Sequence, residues 1–429
     1  MPVRKRRRSP RRATVLRIRR ASPLWIVAAI GCAFLLVGCL HLAERGSWLG
    51  EPAPPVKGPP DRLVRVRLGS NTPRRSAALA VASPFSVRPA GGGAVLVARH
   101  GELDAAVRPA GVHGIDLGGE HLASDDVVIT PERDAAIVLD QQTYRGALRI
   151  QRVGDGLFFD NHLDVESYLR GVLCGELPRD FHPESFKAQA VAARTYVLYQ
   201  KQNGPRERSF DVYDHEGSQM YIGVRGEDRI AVEAVEKTCG EVCTWKDGRG
   251  DHIFSTFYSS ACGGRSEPVT HFKPNMTAVP PLAGNVPCSD CYLAKFYRWD
   301  PVEISKAELT KRLVAKYPTL SKLGTVVELE PKARTPDGRI IRMLLIGAAG
   351  QNDTLLGEDF RLSVGGRVLK STNFEIEARA QSFVFKNGKG FGHGVGLCQY
   401  GMETKARRGM DYRQILKIYY PQSDIKKLY

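Results

Sequence analysis

Residues 183–199, PESFKAQAVAARTYVLY, constrain this chain more than any other stretch, because they can hardly be anything but a helix. Pro183 suits a first helical position, where a missing N–H costs nothing, and Phe186, Ala190, Ala193 and Val197 recur at helical steps, giving one buried face. The alanines allow neighbouring elements to approach closely. Gln189 and Arg194 are the polar exceptions, each long enough to reach toward a cleft; for Arg194 a structural ion pair is the competing reading. Just ahead of this helix a lone carboxylate, Glu176, sits between Gly175 and Leu177-Pro178. A carboxyl group in small, apolar surroundings loses the water that stabilises its charge, so its pKa rises and it can carry a proton to donate near neutral pH. Glu176 is therefore the candidate general acid.

The formal charge of +16 suggests a nucleic-acid partner, but ten Lys and Arg and no acidic residue lie in residues 1–20, and removing that tail leaves +6. That excess is too small to argue for DNA or RNA. Residues 1–23 read as a basic cytoplasmic tail and 24–42 as an apolar signal anchor, with Leu36-Val37-Gly38-Cys39 offering the alternative of a lipoprotein signal modified at Cys39. Either places the rest of the chain outside the cytosol of a bacterium, tethered to the membrane. Residues 43–61, with EPAPPVKGPP, form an extended spacer.

From residue 62 to 151 short apolar alternation is broken by turn residues (LVRVRLG, AVLVA, DVVIT, ALRIQRV), a strand-rich subdomain. Residues 152–429 form the presumptive catalytic core, with helices expected at 165–173, 183–200, 228–238, 306–316 and 412–419, and strands at 240–260 and 325–385. The class is α+β, with the cleft between the strand-rich part and the mixed core. The glycines at 392, 394 and 396 remove side chains where backbone turns tightly or approaches a ligand, while His393, Gln399 and Tyr400 supply hydrogen-bonding groups and Phe391 or Tyr400 an aromatic face for stacking on a ligand. Tyr258, Ser259 and Ser260, ahead of Gly263-Gly264, read as a strand delivering polar groups to the same cleft; neither serine lies in a nucleophile elbow.

Seven of the nine cysteines lie beyond the apolar run. Cys288 and Cys291 form a CxxC pair, and with Cys262 and a histidine, His271 or His252, they could make a structural zinc site. A disulfide from Cys262 to Cys288 or Cys291 is the alternative. Cys239 and Cys243 could bridge locally or join the cluster, and Cys174 and Cys398 could pair across the cleft or stay as small buried residues.

Three separated segments together carry a resemblance. LDVESYLRGVLCGELPRDFHPESFKAQAVAARTYVLY, FSTFYSSACGGRSE and GKGFGHGVGLCQYGMETKARRGMDYRQILKIYYP resemble, in order and spacing, SpoIID/LytB domains, with residues 285–383 matching least. The resemblance implies two activities. SpoIID-type members are lytic transglycosylases of denuded peptidoglycan glycan strands, which would make Glu176 the catalytic acid and Arg194 a second active-site residue. LytB-type members stimulate a cell-wall amidase, so that a non-catalytic binding protein is the rival reading. Some members are also similar in holding zinc with Cys and His, although the proposed acid chemistry requires no cofactor. An ordinary glycosidase needs two carboxyl groups, whereas a lytic transglycosylase manages with one, because the sugar's own C6 hydroxyl attacks the anomeric carbon. Glu166, Glu184 and Asp214 remain as possible second carboxylates, which would make a water-using muramidase.

Overall fold

The computed structural model describes residues 60–429 except 70 and 134, so the basic tail, the apolar run and most of the spacer lie outside the described residues. Among the described residues no helix is long and apolar enough to cross a membrane. The class is α+β, as expected. Residues 63–164 build two antiparallel sheets whose strands alternate buried and open positions with period two, as in Leu79 and Val81 against Ala78 and Ala80. An interior strand of the larger sheet, Gly156–Asp164, pairs with Leu63–Arg67 on one side and Ala147–Val153 on the other. It then runs directly into helix α1, Val165–Glu176.

That junction aims the candidate site. Asp164 caps α1, its side chain accepting from the Glu166 N–H at 2.9 Å, so the helix direction is set by a strand held on both edges. Helix α2, Pro183–Asn203, follows after a short turn. It is buried almost all round rather than on one face, with Phe186, Ala188, Val191, Ala192 and Ala193 fully enclosed. Its alanines make that possible, since a bulkier surface could not sit between so many neighbours. Its first turn is tied down by Glu403, which accepts from the His182 N–H at 2.8 Å and the Ser185 hydroxyl at 2.7 Å. Helix α3, Arg229–Lys237, packs beside α1 and α2.

Residues 299–385 carry a hydrophobic core of their own, centred on Leu309, Leu313, Met343, Leu345, Phe360, Phe383 and Phe385. Two three-stranded antiparallel sheets and helices α4 (Lys306–Lys316) and α5 (Gly357–Val364) enclose it. The chain then returns to the first core through a glycine-rich segment, where Gly390, Gly392, Gly394 and Gly396 all adopt positive φ, and enters helices α6, Gln399–Arg407, and α7, Tyr412–Tyr419.

Gly171 and Gly175, one turn apart on α1, form a groove into which Met220 and Tyr221 settle. A Cβ on Gly175 would lie 2.1 Å from the Met220 carbonyl oxygen, and one on Gly171 2.5 Å from the Tyr221 ring. Gly175→Ala should therefore force the 218–221 loop off the helix and lower the urea midpoint by the equivalent of about 1–3 kcal/mol. Gly91→Ala, where nothing stands within 4 Å, should leave it unchanged; equal midpoints for both variants would contradict this packing.

Candidate active site

Glu176 is the last residue of α1, partly buried, and its carboxylate is held by three donors from three segments. Oε1 accepts from the Met220 N–H at 2.8 Å and from the Tyr258 hydroxyl at 3.1 Å, while Oε2 receives the Gln399 amide at 3.4 Å. All three are neutral. Burial, the largest influence, pushes the Glu176 carboxyl above its ordinary value, and the three hydrogen bonds only partly offset it. The position at a helix C-terminus acts in the same sense, since the macrodipole disfavours negative charge there.

A chain of hydrogen bonds orients these donors. The Tyr168 hydroxyl donates to Gln219 Oε1 at 3.0 Å, and the Gln219 amide donates to the Tyr258 oxygen at 3.0 Å, leaving the Tyr258 proton directed at Glu176. Burial raises the Tyr258 phenol well above its normal range, so it stays a donor. Gln399 also reaches Gln189 Oε1 at 3.5 Å, and the fully buried Gln189 Nε2 has no protein partner. The structure thus gathers Glu176, Gln189, Tyr258 and Gln399. Ser259 and Ser260 continue the Tyr258 strand, with Ser259 Oγ buried and unpartnered and the Ser260 carbonyl accepting from the Tyr400 N–H at 3.0 Å. Sequence reasoning missed Gln219 and Met220, for no periodicity or motif marks the loop that carries them.

Other predicted residues make their contacts elsewhere. The Tyr400 ring packs edge-on against Phe181, and Phe391 against Phe296. His393 stacks on Phe272 with ring centres 4.5 Å apart and accepts from the Val395 N–H; burial lowers its pKa to about 4, leaving it neutral. It lines a small, partly open pocket with Glu267, His271, Arg339 and Glu358.

Arg194 is not beside Glu176. Fully buried, it forms a two-pronged ion pair with Glu166, Nε at 2.8 Å and Nη2 at 2.6 Å, and donates to the Glu241 carbonyl at 3.1 Å. Five residues separate it from Gln189, about 140° around a helix, so the two side chains leave α2 in different directions. Burial pushes the Glu166 carboxyl up, but the hydrogen bonds and charge of Arg194 outweigh it and the net shift is downward. The Tyr429 hydroxyl and the Gly240 N–H complete the Glu166 site. Glu184 is engaged by Lys187 and the Tyr412 N–H, and Asp214 by the Gly69 N–H. None of these carboxylates shares a hydrogen-bond partner with Glu176.

The cysteine cluster also differs from expectation. Cys262, Cys288 and Cys291 do come together, but the fourth member is Cys398, with all four ligand atoms within 4.8 Å of one another. His271 instead bonds Glu267 at 3.0 Å, and His252 bonds Asp247 at 2.8 Å. Cys174, Cys239 and Cys243 stand outside the cluster as free thiols, so Cys174 does not bridge to Cys398.

With this geometry in place the comparisons with known proteins become informative. The profile of the family described as Stage II sporulation protein matches residues 155–245, which span the Glu176 segment, α2 and α3. A second profile, a domain of unknown function (DUF8618), matches residues 288–396, which include the separate second core. An uncharacterized protein of Brachyspira hyodysenteriae is 30% identical over 296 residues, covering 68% of this chain and 75% of that protein. Stage II sporulation protein D of Bacillus subtilis is 26% identical over 280 residues, 62% of this chain and 75% of its own. The amidase enhancer of the same bacterium is 26% identical over 292 residues, but only 39% of its length is covered. The chain belongs to the SpoIID/LytB family.

The Arg194 geometry yields a direct expectation. Arg194→Ala leaves the Glu166 charge buried without its counter-ion, which should destabilise the fold by about 3–5 kcal/mol. A thermal melt checks this: a variant that melts with the parent but loses function would return Arg194 to the active site.

Proposed function

We propose that the protein is a peptidoglycan lytic transglycosylase that cleaves glycan strands, denuded of stem peptides, between MurNAc and GlcNAc, with Glu176 as its general acid and base. The observation that carries this reading is one carboxyl group raised by burial, fixed by neutral donors and, among the described residues, unaccompanied by a second carboxylate sharing its partners. Such a site can give a proton to the glycosidic oxygen as the C1–O bond breaks. The resulting carboxylate then takes the proton of the C6 hydroxyl as that oxygen bonds to C1, closing a 1,6-anhydro ring. The proton lost in the first step is regained in the second, and no water is consumed. The Gln189 amide, buried beside Gln399 with no hydrogen-bond partner of its own among the described residues, supports the reading as a polar group kept next to the acid. In the same reading the N-terminal basic tail and apolar run tether the chain to a bacterial membrane facing the wall.

The amidase enhancer among the relatives supports a second reading, in which the chain binds the wall and activates an amidase partner without cleaving glycan itself. Incubation of the purified chain with denuded strands, followed by mass spectrometry, separates the two. Anhydro-muramyl ends are expected; new reducing ends would indicate a muramidase, and no cleavage the amidase-activating role. Glu176→Gln should reduce cleavage by roughly 10²–10⁴-fold while the strands still bind. Unchanged turnover would remove Glu176 from the mechanism.

The pH profile gives a separate test. Glu176 acts while protonated, so activity falls as pH rises through its folded pKa. The Tyr258 hydrogen bond favours the ionised form; Tyr258→Phe should therefore raise that pKa and move the alkaline limb to higher pH. A limb that stays put or moves to lower pH would contradict the Tyr258 contact.

A further inference from the structure

We infer that Cys262, Cys288, Cys291 and Cys398 bind one tetrahedral zinc ion, and that this ion clamps the two strands that present Tyr258 and Gln399 to Glu176. The four thiols are buried, at 2%, 1%, 0% and 0% exposure, and come from three segments far apart in the chain. A disulfide needs sulfurs about 2.05 Å apart and joins them in pairs. Here Cys262 and Cys291 stand 3.7 Å apart, and all four sulfurs are mutual neighbours. Zinc–sulfur bonds of about 2.3 Å place the corners of a tetrahedron about 3.8 Å apart, so the spacing fits a shared central ion.

The surroundings suit thiolates as well. The Cys262 N–H points at Cys398 Sγ from 3.3 Å, and the Tyr419 hydroxyl lies 3.1 Å from Cys288 Sγ. Such outer donors neutralise the excess charge of four sulfurs on one divalent ion. Gly401 leaves room for this arrangement, since a Cβ there would lie 2.4 Å from Cys288 Sγ.

Placement gives the site its consequence. Tyr258 and Ser259 pair in parallel with Leu397 and Cys398, and Gln399 follows Cys398 immediately. Cys262 ends the segment that begins at Tyr258, so both donor-bearing strands are tied to the same ion within four residues of the groups that touch Glu176. Cys288 and Cys291 attach the loop leading into the second core. The zinc is structural, and Cys398 is a positioning residue. This effect on Glu176 rests on the transglycosylase reading, whereas the binding of zinc does not.

The test is metal analysis of the purified full chain, with cobalt reconstitution and alkylation of its thiols without reduction. One zinc per chain, thiolate-to-cobalt charge-transfer bands and loss of the metal in Cys398→Ser are expected. Cys398→His, which still supplies a tetrahedral ligand, should retain zinc, as should Cys174→Ser. Stripping the zinc should lower cleavage about tenfold or more, while Glu176→Gln should show its larger loss of cleavage with the zinc in place. A metal-free chain with Cys262 in a disulfide, or one loaded with iron, overturns the zinc site. Full cleavage after stripping overturns the clamp. Zinc bound by a chain that never cleaves glycan supports the metal site and rejects the enzymatic reading.

Discussion

Two carboxylates stand on one helix in opposite surroundings, and the fold around the candidate site is organised about them. Glu166 opens α1, where the helix dipole favours negative charge, and Arg194 meets it with a two-pronged ion pair that holds its pKa down. Glu176 closes the same helix, where the dipole opposes charge, and receives only an amide N–H, a phenol and a carboxamide, so burial prevails and its pKa rises. The first arrangement locks α1 to α2; the second leaves a group able to exchange a proton. On the proposed reading, environment alone divides an anchor from an acid, the general pattern by which like residues take unlike roles.

The rest of the molecule serves that second carboxylate. The strand Gly156–Asp164 aims α1, glycines on α1 admit the loop bearing Gln219 and Met220, and the Tyr258 strand and Gln399 helix close from the other side. Tyr168, Gln219 and Tyr258 pass hydrogen bonds in one direction, so the proton on Tyr258 is committed to Glu176 by the fold itself. Preorganisation of this kind spares the reacting group a reorientation at the moment of transfer.

Much of this was legible in the chain, and the failures share a cause. The five expected helices stand close to their predicted bounds because caps and periodicity are local signals. Glu176 was singled out by its small, apolar neighbours in the chain, and the Tyr258 strand and the glycine-rich turn before Gln399 were read as walls of the same cleft because glycines there stand beside polar groups; the structure brings Tyr258 and Gln399 to Glu176. Arg194 was assigned to the active site on the family resemblance, while its place on the helix also allowed a structural ion pair; in a helix enclosed on nearly all sides, a polar residue's direction follows from tertiary partners that no period encodes. The fourth cysteine was missed likewise: CxxC announces two ligands locally, but whether His271 or Cys398 joins them depends on a strand pairing made across the fold. Helix α6 was hidden because its first residues follow a run of glycines that reads as a turn throughout, and the separate core of residues 299–385 because its segments alternate like any other strands.

The account depends most directly on Glu176 holding a proton beyond the ordinary carboxylate range. Infrared difference spectroscopy of the purified chain against Glu176→Gln isolates the carbonyl stretch of this one protonated carboxyl group as pH is varied. The prediction is a band that persists above the pH at which exposed glutamates have lost theirs. A band that vanishes at or below that pH would show Glu176 to be an ordinary ionised carboxylate and would contradict its role as the acid.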